Sequence, residues 1–115
     1  MTVTIYHNPR CTKSRLTLAL LKDRGLKPEV IEYLQMPPKA KELEEILSML
    51  GIGPRDLMRK DEAVYKEYDL DNPKKSYGEL LNALVRNPIL LERPIVIANG
   101  KAAIGRPPEN VLAIL

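Results

Sequence analysis

With 115 residues the chain fits one domain around one core, and 18 Lys and Arg against 15 Asp and Glu leave a net charge of only +3. That excess is neither concentrated nor interleaved with stacking aromatics, which excludes a nucleic-acid groove binder; the apolar run LTLALL falls far short of the ~20 residues of a membrane span, and no signal-peptide pattern precedes it. A single cysteine cannot close an internal disulfide and excludes a Cys-x-x-Cys pair or a cysteine-rich zinc site, so no metal is expected and a reducing, cytoplasmic setting is.

TVTIY alternates β-branched residues and runs into the polar turn HNP, the pattern of a strand entering a loop. Good helix formers from Thr12 to Arg24 predict a helix with Leu16, Ala19, Leu20 and Asp23 on one side, stopped by Gly25. KPEVIEYL reads as a second strand, and Pro37-Pro38 opens a helix whose Leu43, Ile46, Leu47 and Leu50 recur at helical spacing up to Gly51. GPRDLMR and DEAVYKEYDL predict short helices; SYGELLNALVRNP predicts an amphipathic one with Leu80, Leu81, Leu84 and Val85 inward. RPIVIANGKAAIG then gives two strands around Asn99-Gly100, the dipeptide best suited to a two-residue type I′ turn. RPPENVLAIL closes the chain as a helix with Val111, Leu112 and Leu115 toward the core.

The order is therefore β-α-β, a helical insert at about residues 38–87, then β-β-α. A β-α-β start implies two parallel strands joined by a right-handed crossover, and the hairpin adds an antiparallel pair. The simplest closure is a single domain, residues 1–115, of α/β class: a four-stranded mixed sheet with flanking helices, the thioredoxin-like arrangement.

The segment YHNPRCTKSR holds both the only cysteine, Cys11, and the only histidine, His7. A cysteine at the lip of a helix faces unsatisfied N–H groups and the positive end of the dipole, which favour the thiolate. Arg10, Lys13, Arg15 and His7 add positive charge in the same direction, and Ser14 is within reach of a hydrogen bond to the sulfur. The competing reading is a buried cysteine acting as a small hydrophobe. A low-molecular-weight phosphatase would need Cys-x5-Arg, but Thr17 stands six residues after Cys11 and Arg15 comes too early.

Arg59, Arg93 and Arg106 each lie at an element boundary, and Arg93 precedes Pro94, a place for a cis peptide. Singly each reads as a solvated charge; together with Cys11 they suit an oxyanion cage, because guanidinium forks match oxyanion geometry.

YHNPRCTKSR, the arginine of LMRK, NPILLERPIVI and GRPPENVL together resemble the glutaredoxin-dependent arsenate reductase (ArsC) family, most of all its short arsenate reductase-like branch. The resemblance spans nearly the whole chain and implies a thioredoxin-like fold with a helical insert. It implies that Cys11 attacks arsenate or a similar oxyanion, that His7 and Ser14 support the thiolate, and that Arg59, Arg93 and Arg106 bind substrate, with Pro94 the family's cis-proline. Glutathione is then the reducing co-substrate and glutaredoxin the protein partner, with no tightly bound cofactor. Another glutathione-dependent thiol oxidoreductase activity is the nearest alternative. Spx-like regulators share the fold and bind RNA polymerase, but commonly carry Cys-x-x-Cys in this turn, where the present chain reads Cys11-Thr12-Lys13-Ser14.

Overall fold

The computed structural model describes residues 2–115 and divides the chain into two compact units, one running to Met36 and resuming from Arg93 to Leu115, the other spanning Pro37–Glu92. In the first unit, β1 (Val3–His7), β2 (Glu29–Glu32), β3 (Ile95–Ala98) and β4 (Lys101–Ile104) form one sheet in the order β2-β1-β3-β4. β1 runs parallel to β2 and antiparallel to β3, which pairs antiparallel with β4. The parallel pair needs a crossover, and α1 (Thr12–Asp23) supplies it. His7, expected in the turn, is the last residue of β1, in register with Glu32.

Period-two alternation puts Val3 and Ile5 on one face of β1, beside Val96 and Ala98 of β3. Leu21 of α1 packs on that face with Val111 and Ile114 from a closing 3-10 helix, Pro108–Ile114. Leu21 is wholly buried, so its truncation to alanine costs about 2–5 kcal/mol. The closing segment departs from the expected inward set: Val111 and Ile114 are buried and Leu112 and Leu115 only half-buried. A 3-10 helix repeats every three residues, so its inward face falls on i and i+3.

The inward face of α1 also differs from expectation. Ser14, Thr17 and Leu21 are buried, whereas Leu16 is 52% exposed and Ala19 faces solvent. Hydrophobic periodicity misplaced the stripe because its first two members carry hydroxyls. At the hairpin, Asn99 and Gly100 both take positive φ, 55° and 71°, as a type I′ turn requires. Asn99 Nδ2 also donates to the Ile114 carbonyl at 2.9 Å, tying the turn to the closing helix.

The second unit holds α2 (Ala40–Leu50), α3 (Ala63–Glu67) and α4 (Tyr77–Arg86), with 3-10 turns at Pro54–Leu57 and Pro88–Leu90. Leu43, Ile46 and Leu47 of α2 and Leu80, Leu81 and Leu84 of α4 are buried as their spacing predicts, with Leu50 and Val85 half-buried. Pro37 and Pro38 stand just ahead of the α2 cap, Lys39, rather than in its first turn; Glu42 Oε1 accepts the Lys39 N–H at 3.1 Å. Ser76 and Glu79 cap α4 reciprocally, each side chain accepting the other's backbone N–H at 3.1 Å. The whole is the thioredoxin-like arrangement: a four-stranded mixed sheet, flanking helices and a helical insert between β2 and β3.

Candidate active site

The turn after β1 is built on Asn8. Its carbonyl accepts the Cys11 N–H at 3.0 Å, its Oδ1 accepts the Arg10 N–H at 3.0 Å, and its own N–H donates to Ser14 Oγ at 3.0 Å. Pro9 has no donor, so every N–H from Asn8 to Cys11 is committed within the turn. Asn8 is not among the site residues the sequence points to, although Asn before Pro is a signal for this kind of side-chain-to-backbone turn.

Cys11 occupies the N-cap of α1 with extended dihedrals, φ −93° and ψ 124°, and makes no side-chain cap bond. Cys11 is half-buried at the end of a 12-residue helix whose dipole presents a positive end there. Ser14 Oγ lies 2.6 Å from His7 Nδ1 and accepts the Asn8 N–H, so the serine hydroxyl is engaged with the strand end and turn; the expected bond from Ser14 to sulfur is replaced by this pair. When Nδ1 is the unprotonated nitrogen, Ser14 donates its single proton to it.

His7 is buried, and desolvation is the main reason its pKa falls below the usual 6.5; Lys22 and Arg15 add to the fall, and Glu32 opposes it. A neutral imidazole follows at neutral pH, so His7 acts in the turn through its hydrogen bond rather than as an added positive charge.

The cations sort themselves by geometry. Arg15 donates to the Pro9 carbonyl at 2.8 Å and to Thr12 Oγ1 at 3.2 Å, bracing the turn, while Arg10 and Lys13 are exposed. Arg106, 95 positions along the chain, brings Nη1 to 3.9 Å from Cys11 Sγ and donates from the same nitrogen to the Arg93 carbonyl at 3.2 Å. Arg93 has its Nε and Nη1 buried without a hydrogen-bond partner. The Arg93-Pro94 peptide is cis, and so is Arg106-Pro107. Cys11, Arg106 and the Arg93-Pro94 backbone thus come together in the first unit.

Arg59 lies in the second unit, where its guanidinium faces Glu62 at 3.4 Å, Asp61 at 3.8 Å and Glu92 at 3.9 Å. A groove of about 690 Å³ lined by Tyr68, Lys75, Glu79, Asn82 and Arg86 also belongs to that unit and includes none of the expected site residues. Among the described residues no group of three or more His, Cys, Asp and Glu is placed to hold a metal, and no helix is long and apolar enough to cross a membrane.

A half-buried cysteine at a helix lip, with a guanidinium beside it and buried unpaired donors on a second one, is suited to binding an oxyanion next to a nucleophile. Comparison with known proteins points the same way. The ArsC family model matches residues 6–114. The chain is 55% identical over 114 residues to YfgD of Escherichia coli (strain K12), spanning 98% of this chain and 96% of that one. It is 52% identical over 114 residues to an arsenate reductase of Neisseria meningitidis, spanning 98% and 97%. The solved structure of an arsenate reductase from Vibrio cholerae superimposes with a TM-score of 0.97 at 49% identity, over 100% of this chain and 98% of that one.

Proposed function

Because the chain belongs to the ArsC family, we propose that it reduces arsenate to arsenite, with Cys11 as nucleophile and glutathione and glutaredoxin supplying the electrons. The observation that supports this most directly is the Arg106 guanidinium 3.9 Å from the Cys11 sulfur. An arginine there neutralises charge on an approaching oxyanion while leaving the sulfur open to attack arsenic. The unpaired Nε and Nη1 of Arg93 supply further donors of the right kind. Arg59 is assigned to oxyanion binding by the family resemblance alone, and its guanidinium already faces three carboxylates.

The chemistry balances with one protein thiol and one external thiol. Attack by Cys11 forms a sulfur–arsenic bond and expels one arsenate oxygen as water. Glutathione supplies the second sulfur. The two sulfurs together give up two electrons and join as a mixed disulfide, and arsenic leaves in the trivalent state as arsenite. Glutaredoxin then takes the glutathione by thiol–disulfide exchange and returns Cys11 to the thiol. With no second cysteine in the chain, an external thiol is obligatory. Glutathione acts as co-substrate rather than bound cofactor, and the reading places the protein in the cytoplasm, where that thiol is kept reduced. His7 and Ser14 support the reaction by holding the turn that presents Cys11.

The test is arsenite production from arsenate with glutathione and glutaredoxin, on wild type beside Cys11→Ser. Turnover by wild type that disappears in Cys11→Ser is the expected result. Turnover retained without the thiol removes Cys11 as nucleophile, and none in wild type removes arsenate as substrate.

A further inference from the structure

Gly105 separates β4 from Arg106, and its φ lies outside the left-handed region, so a positive φ is not what calls for glycine here. Space does. A Cβ at this position would stand 2.5 Å from Thr17 Oγ1, 3.1 Å from Thr17 Cγ2 and 2.8 Å from Pro94 Cγ. Neither neighbour yields easily. Thr17 is wholly buried, and its hydroxyl is fixed by donation to the Lys13 carbonyl at 2.8 Å. Pro94 is a ring whose own carbonyl accepts the Gly105 N–H at 2.9 Å.

We infer that the contact of Thr17 with Gly105 is the spacer that sets the distance between Cys11 and Arg106. Thr17 belongs to the helix that Cys11 caps; Gly105 adjoins Arg106 directly. The strand side of the contact is stitched twice, Gly105 N–H to the Pro94 carbonyl and Arg106 Nη1 to the Arg93 carbonyl, so it moves as one piece. What remains is the approach of α1 to that piece, and a side chain at 105 opposes that approach. Clearing the overlap requires a displacement of roughly 1 Å, enough to lose the 3.9 Å contact of Arg106 with sulfur and a displacement of the size that costs up to about 100-fold in rate. Gly105 and Thr17 are thus positioning residues. The inference rests on reading Cys11 and Arg106 as an oxyanion-binding pair, but not on arsenate being the oxyanion.

The experiment needs no turnover. Cys11 is alkylated with iodoacetate and with iodoacetamide, and the ratio of the two rates is taken. Both reagents consume the same thiolate, so the ratio reports only the positive charge held over the sulfur. In Gly105→Ala the ratio should fall several-fold, toward that of Arg106→Ala, and adding Thr17→Ala, which removes two of the three close contacts, should restore part of it. A folded Gly105→Ala with the wild-type ratio overturns the inference. A general loss of stability would not move a ratio measured on folded protein. Should Gly105→Ala fail to fold, Thr17→Ala alone decides: without the spacer α1 closes toward Arg106 and the ratio rises, and an unchanged or lower ratio overturns the inference. An Arg106→Ala ratio equal to wild type removes the pair itself, and the inference with it, whatever the arsenate assay gives.

Discussion

Replacing Arg93 by methionine should make the protein more stable and less able to bind an oxyanion. The side chain has two nitrogens, Nε and Nη1, buried with no hydrogen-bond partner. A buried donor left unmade costs about 1–3 kcal/mol. Methionine keeps most of the stem and removes both donors; because Arg93 is only half-buried the two costs do not add in full, and a gain of about 1–3 kcal/mol is expected for the free protein. For a chain of this length 1 kcal/mol corresponds to roughly 4 °C in melting temperature. Oxyanion should act in the opposite sense on the wild type: at a hundred times its dissociation constant it stabilises by about 2.7 kcal/mol, or roughly 10 °C on the same scale. Thermal melts with and without arsenate read both quantities. The expected pattern is a higher melting temperature for Arg93→Met without arsenate and a much smaller rise with it. A variant that melts below wild type in plain buffer, or rises with arsenate as far as wild type does, refutes the reasoning.

Ser76→Ala removes the hydroxyl that accepts the Glu79 N–H at 3.1 Å and should cost about 1 kcal/mol in a denaturant melt; an unchanged midpoint would show that the cap does not limit stability. His7 contributes a pH dependence of definite sign. Its folded pKa lies below the usual 6.5, so at pH between the two values the unfolded chain binds more protons; stability is complete above about 6.5 and declines as pH falls toward the folded pKa. His7→Gln should flatten that decline in melts taken across the acidic range, and an equal decline would assign it to other groups. Cys11→Ser places a better cap at the start of α1, where cysteine makes no cap bond, and should raise stability by up to about 1 kcal/mol while abolishing thiol chemistry; a less stable variant would mean the sulfur packs more than it caps.

The parts of the fold most legible in the sequence are those where one requirement acts alone. Asn99-Gly100 had to be a type I′ turn because both residues tolerate positive φ between short apolar runs. In α2 and α4 the buried face answers only to packing, so Leu43, Ile46, Leu47, Leu80, Leu81 and Leu84 fall where a 3.6-residue period puts them. In α1 two requirements meet. Its C-terminal half needs an apolar residue over the sheet, supplied by Leu21, but its N-terminal half meets a polar turn at Ser14 and a close backbone at Thr17. Larger apolar residues do not fit there and appear instead on the exposed side as Leu16, which is why periodicity chose the wrong face. Cys11 at the helix lip was legible from local rules; the approach of Arg106 from 95 positions away followed only from the strand order.

The starts of α4 and α1 show what distinguishes the site from its scaffold. At α4 the cap is Ser76, its hydroxyl and the Glu79 carboxylate each accepting the other's backbone N–H, a start optimised for stability. At α1 the cap is Cys11, which accepts no such bond, and the serine of that turn is spent three residues on, against His7 and Asn8. Serine in the cap would be the more stable choice. The same pattern recurs around it: Arg93 holds unpaired buried donors, and Gly105 gives up the backbone restriction a side chain would provide. Each departure lowers stability taken alone, and they share the edge of the sheet where α1 begins, β3 is entered and β4 is left. Local stability accounts for none of them, and the close packing that requires Gly105 is itself what holds α1 near Arg106; a thiol that must stay reachable beside an arginine accounts for the bare cap and the missing side chain together.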